Sequence, residues 1–184
     1  RLLILGVMNL RNELINEPEL RKALSIVQNG LFEIRALKKN PKRTLSGYFR
    51  DVDTAISALM RDKIDLRGFN VYMSLNEIKD ECYARSQKDR MTIPEVTTND
   101  DVIIGYNWLF VDLDPVRAAD ISSSDEQINK AKSMAKRILA YLKGIGFEDP
   151  VVAMSGNGIH LLYRIALVNN SDNEALIQKC LQAL

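Results

Sequence analysis

The sequence predicts a mixed α+β fold, with an N-terminal α/β lobe packed on a second, smaller unit. Two observations carry this. Apolar residues recur with period two in some stretches and with helical period in others, and the two kinds alternate along the chain. The second half, better patterned than the first, reads in the order β-α-β-β-α. At 184 residues the chain is long enough for one domain with a real core or for two small lobes. Its 46% apolar and 27% charged residues are those of a globular protein, which excludes a disordered or fibrous chain.

The elements follow in order. A helix is predicted from Asn16, with Pro18 tolerated at its start, an apolar stripe of Leu20, Ala23, Leu24 and Val27, and Asn29-Gly30 closing it. Residues 31–37 alternate as a strand, Phe32, Ile34 and Ala36 against Glu33 and Arg35. KKNPKRTLSGY, with its turn residues, reads as a basic loop. Asp51 is placed to cap a helix striped by Val52, Ala55, Ile56, Leu59 and Met60. Residues 68–76 alternate again, and 77 to about 101 read as an exposed excursion or a mobile loop. That places the first lobe at 1–101 and the second at 102–184.

In the second lobe a strand at 107–113 is followed by a serine-rich run, Ser122-Ser-Ser-Asp-Glu-Gln, that offers overlapping capping boxes. Ile128, Ala131, Ala135, Ile138, Leu139 and Leu142 then form one stripe, and Gly144 and Gly146 end the helix. PVVAMS (150–155) reads as a buried strand, SGNG as a tight turn and 159–167 as the hairpin partner. A last helix starts near Asn170 or Ser171. This order is that of a ferredoxin-like, RNA-recognition-motif-like unit without its last strand.

Twenty-five basic and 24 acidic residues are interspersed, for a net charge of +1. That balance excludes a strong bulk attraction to nucleic acid and leaves room for a local basic groove. Cys82 and Cys180 have no metal-ligand spacing and read as reduced thiols of a cytoplasmic protein. No apolar run approaches the roughly 18 residues of a membrane span. RLLILGV at the start is too short and lacks a cleavage site for a signal peptide.

Two stretches carry chemistry. In WLFVDLDPVR (108–117) four apolar residues run into two carboxylates. On a strand Phe110, Asp112 and Asp114 share a side, which lets Asp112 and Asp114 converge on hard divalent cations. For Arg117 a plain loop charge is the ordinary alternative, and for the acid pair a polar strand end. In SGNGIHLLYR (155–164), Ser155, Gly156, Asn157 and Gly158 form a turn whose amides are placed to cradle an anion. His160, the one histidine, and Arg164 follow on the next strand, so hydroxyl, amides, imidazole and guanidinium together suit a triphosphate. An ordinary Asn-Gly hairpin is the alternative. In a ferredoxin-like unit the first and third strands are neighbours, so the two stretches meet on one face.

FVDLDP followed by SGNGIHLLYRI resembles the archaeo-eukaryotic primase superfamily, in particular the primase-polymerases of phages, plasmids and other mobile elements. Asp112-Leu-Asp114 matches its first motif and Gly158-Ile-His160 its second, and the likeness covers roughly residues 30–184. The resemblance implies that Asp112 and Asp114 ligate catalytic Mg²⁺ or Mn²⁺. It implies that His160, Ser155 and the turn at Asn157 contact the triphosphate of an incoming nucleoside triphosphate, with Arg164 added by its shared face. The activity implied is metal-dependent, template-directed primer synthesis or extension by a nucleotidyltransferase, in replication of a mobile element. DNA template and primer are then its partners, with a helicase domain further along the chain. The family's third motif, a carboxylate on the last strand, has no counterpart, since Asp172 and Glu174 suit a helix start. The expectation is of an N-terminal catalytic fragment.

Two other functions fit parts of the pattern. DLDPV also matches the nucleophile motif of haloacid-dehalogenase-like phosphatases, but no later acidic motif accompanies it. A non-catalytic nucleic-acid-binding module would use Lys38, Lys39, Lys42, Arg43 and Arg50 on phosphates, with Tyr48 and Phe49 for stacking. For the polymerase site, Tyr72 and Asn76 on the polar face of strand 68–76 are candidates to border the nucleotide pocket. Without a third carboxylate, residues 1–184 alone are expected to bind metal weakly and polymerise poorly. A primer-extension assay on a templated duplex checks this, and robust synthesis would contradict it.

Overall fold

The structure is a computed structural model that describes residues 2–3, 17–28, 30–61, 66, 68–118 and 121–184. Among the described residues it is mixed α+β, with four helices and two small sheets. The chain divides into two compact units, Arg1–Gly105 and Tyr106–Leu184. The expected boundary at 101/102 falls within a short 3-10 turn, Asp100–Val102, that belongs to the first unit.

In the first unit β1 (Leu2–Leu3), helix α1 (Glu17–Val27), β2 (Phe32–Lys38), β3 (Arg43–Phe49), helix α2 (Val52–Arg61) and β4 (Phe69–Ser74) follow one another. The sheet runs β1-β4-β2-β3 and is antiparallel throughout. The Asn16 helix start, Asn29 and most of the opening apolar run lie outside the described residues. Leu20, Leu24 and Val27 of α1 are buried, as are Ala55, Ile56 and Leu59 of α2. Asp51 caps α2 as expected, accepting from the Thr54 amide (2.7 Å) and hydroxyl (2.6 Å). Those bonds, the hydroxyl's above all, hold its carboxyl below the usual carboxylate range.

Two expectations for this unit are corrected. The basic loop is confined to 39–42, and Arg43–Phe49 is a strand paired with β2 along its length. Ser46 and Gly47 hid it, being weak strand formers. Gly47 is demanded by packing, since a Cβ there would lie 2.6 Å from the Arg90 carbonyl oxygen. The stretch 77–103 is only partly exposed: Ile78, Cys82, Met91 and Val102 are buried and Ser46 bridges to Thr92, while Gln87, Lys88, Ile93 and Val96 are exposed. Its apolar residues follow no period because it is irregular, which is why the pattern looked like loop. This stretch also covers the face of β2 opposite Phe32, Ile34 and Ala36, where Thr98 bonds to Glu33 and Arg35.

Glu33 is fully buried there. Its carboxylate accepts from Arg35 Nε (2.9 Å) and Nη2 (2.6 Å), from the Ser46 hydroxyl (2.5 Å) and from the Thr98 amide (3.2 Å). Arg35 also donates to the Thr98 carbonyl at 2.9 Å. A buried charge survives only when its lone pairs are used, and here they are. This network fastens the irregular stretch to the sheet.

In the second unit β5 (Gly105–Leu113), helix α3 (Asp125–Gly144), β6 (Val151–Met154), β7 (Ile159–Val168) and helix α4 (Ser171–Ala183) form a three-stranded sheet in the order β5-β7-β6. Ser124 caps α3 in a full capping box with Gln127, and Asn170 caps α4. Ala131, Ala135, Ile138 and Leu142 bury the α3 stripe against Leu109, Val111, Ile159, Leu161 and Tyr163. The expectation of a buried strand at 150–155 is corrected, since Val152 and Met154 are more than half exposed (55% and 52%). As the sheet's edge strand, β6 lies beyond the helical cover. Among the described residues no helix is long and apolar enough to cross a membrane.

Glu33→Gln is expected to lower stability by about 3–5 kcal/mol, because it leaves the Arg35 guanidinium buried and unpaired. The double change Glu33→Leu with Arg35→Met should recover most of that loss. Urea unfolding of the three chains checks both statements.

Candidate active site

One face of the β5-β7-β6 sheet is taken by α3, so the alternate residues of each strand project from the other face. Along β5 these are Trp108, Phe110 and Asp112, and along β7 they are His160, Leu162 and Arg164. The Arg164 guanidinium lies 4.3 Å over the Trp108 ring. His160 stands edge-on to Phe110, with ring centroids 4.9 Å apart. Its Nε2 is 3.3 Å from Asp112 Oδ1. The contacts climb β5 as they descend β7, so the two strands run antiparallel.

His160 is almost wholly buried while Asp112 is half exposed (2% against 45% of each side chain). The imidazole is therefore held by its surroundings and the carboxylate keeps an open side. Strand β5 ends at Leu113, which leaves Asp114 beyond the pleat. Its Oδ2 accepts from Arg117 Nη1 at 3.0 Å. The two acids thus divide their attention, Asp112 to the histidine and Asp114 to the arginine.

The hairpin turn is built around Ser155. Its buried hydroxyl oxygen accepts from the amides of Asn157 (3.3 Å) and Gly158 (2.9 Å). This corrects the outward-facing anion cradle: two of its amides point inward, because the Ser155 oxygen is the nearer acceptor. Asn157 is occupied as well. Its side-chain oxygen accepts from the Ser123 amide (3.2 Å) and its carbonyl from the Ser123 hydroxyl (2.7 Å). Gly156 has φ +85, which suits glycine. Gly158 is required by proximity, since a Cβ there would lie 2.5 Å from Asp114 Oδ1 and against the Leu113 carbonyl. The turn and the end of β5 are pressed together.

Asp112, Asp114, Gly158 and His160 are thus one cluster, with Ser155 beneath it. Arg164 shares the face but stands four residues along β7, roughly 13 Å away at about 3.3 Å per residue, and its guanidinium is spent on Trp108. Sequence patterns gave Arg117 no partner and overlooked Ser123. The one signal for Ser123 was a run of three serines where a cap needs a single one. The residues offered for nucleic-acid stacking are corrected: Tyr48 and Phe49 are buried in the first unit. There Lys38 lies over Phe69, Arg50 pairs with Asp80 at 3.0 Å, and Tyr72 is opposite Arg35 in the β2–β4 register.

The carboxylate oxygens of Asp112 and Asp114 are hard donors of the kind Mg²⁺ and Mn²⁺ take. Among the described residues no group of three or more His, Cys, Asp or Glu is gathered to hold a metal. Mg²⁺ is commonly held by one or two carboxylates plus phosphate oxygens rather than by a protein cage. The donor set fits an ion that arrives with a phosphate ligand. No family model, curated protein or solved structure matches this chain.

Gly158→Ala is expected to cost about 1–3 kcal/mol, by driving the hairpin away from Asp114 and the Leu113 carbonyl. Thermal melts followed by circular dichroism check this.

Proposed function

We propose that the second unit is the nucleotide site of a divalent-metal-dependent nucleotidyltransferase, a DNA primase-polymerase of the archaeo-eukaryotic primase kind. The observation that carries this reading is the meeting of Asp112 and His160 across neighbouring strands. The two residues come from separate stretches, each weak alone, that the resemblance pairs as motifs one and two. The strand order β5-β7-β6, with α3 between β5 and β6, supports an RNA-recognition-motif-like unit.

In this reading Asp112 and Asp114 would hold Mg²⁺ or Mn²⁺. The ion supplies a lowered pKa for the attacking 3′-hydroxyl and neutralises charge on the phosphates. His160, rigid against Phe110, presents its imidazole beside Asp112, where a triphosphate oxygen would lie. The Ser155 hydroxyl fixes the turn that delivers His160. The 3′-hydroxyl oxygen bonds to the α-phosphorus and pyrophosphate leaves. Asp172 and Glu174 lie in the first turn of α4, where acids suit a helix start. The binding-module alternative loses support with the burial of Tyr48 and Phe49.

Mn²⁺-dependent binding of ATP or dATP, read by isothermal titration, tests the proposal. Asp112→Asn and His160→Ala should each weaken it at least about tenfold, roughly the loss of one charge-assisted contact. Binding that survives both changes and added chelator would refute the reading.

A further inference from the structure

Arg117 follows Asp114 by three residues in a segment with no regular structure, so helical spacing does not impose their pairing. Its side chain is about four-fifths buried (21% exposed), while that of Asp114 remains 42% exposed. Nη1 donates to Asp114 Oδ2 at 3.0 Å and to the Pro115 carbonyl at 3.3 Å, and Nε donates to the Ile121 carbonyl at 3.0 Å. Two backbone carbonyls therefore fix the guanidinium on the carboxylate. On its other side, Asp114 Oδ1 abuts the Gly158 backbone. The carboxylate is held between a hairpin and an internal cation.

We propose that Arg117 is a positioning residue that occupies Asp114 in place of the divalent ion and transfers to phosphate when a metal–nucleotide complex arrives. This rests on the nucleotidyltransferase reading and adds an order of events to it. A metal ion arriving alone must share Asp114 with a positive guanidinium, and like charges a few ångströms apart in a half-buried site repel strongly. A metal ion arriving with a triphosphate brings Arg117 a new anionic partner. The planar guanidinium suits phosphate as well as carboxylate, so the exchange keeps it paired throughout. Metal alone is therefore disfavoured, and the loaded nucleotide is favoured.

The test uses the intact chain at low ionic strength, with free Mn²⁺ followed by electron paramagnetic resonance. Arg117→Gln should bind Mn²⁺ alone about tenfold more tightly than the wild type, the order expected for removing one partly screened like charge. The gain should vanish in Arg117→Gln with Asp114→Asn. With ATP present, Arg117→Gln should instead bind Mn²⁺–ATP more weakly. A purely structural arginine would not move the two affinities in opposite directions. Unchanged or weaker Mn²⁺ binding by Arg117→Gln, with wild-type Mn²⁺–ATP binding intact and dependent on Asp112, overturns this inference alone. Failure of both chains to bind Mn²⁺–ATP overturns it together with the reading beneath it.

Discussion

The antiparallel pairing of β5 with β7 is the constraint on which the second unit depends. It brings Asp112 to His160 and Trp108 to Arg164. A slip of one residue would turn Asp112 toward α3 and Val111 toward the imidazole, because strand side chains alternate. The register is secured by burial: Leu109, Val111, Ile159, Leu161 and Tyr163 must all face α3. Core packing on one face thereby positions chemistry on the other.

Around that register, small residues set the fine spacing. Gly158 lets the hairpin touch the end of β5, and the Ser155 oxygen gathers two turn amides inward. Ser123 then ties Asn157 to the segment leading into α3. The same loop that looked suited to wrapping an anion has spent its polar groups on its own shape. Its contribution to a ligand site is rigidity, delivered through His160.

The first unit solves a different problem, how an irregular stretch covers a sheet. Residues 77–103 bring few apolar groups, and the buried Glu33–Arg35 pair supplies directional bonds to Thr98 and Ser46. Such a pair gives a defined geometry more than net stability, since desolvation offsets much of the attraction. Breaking one partner is costly for the same reason.

By itself the sequence determined the helices, the cap at Asp51, a capping box within Ser122–Gln127, the alternation of β2 and β4, and the two stretches that hold Asp112, Asp114 and His160. These are local features, set by side-chain periodicity and by hydrogen bonds within a few residues. Tertiary structure alone decided that β3 is a strand, that Glu33 is buried and that 77–103 is packed, because each depends on partners distant in sequence. It also decided the partners of the acids. Asp112 turns to His160 because β7 lies beside β5, and Asp114 turns to Arg117 because the strand has already ended at Leu113. Periodicity placed both carboxylates on one side, but only the end of the pleat could separate what they hold.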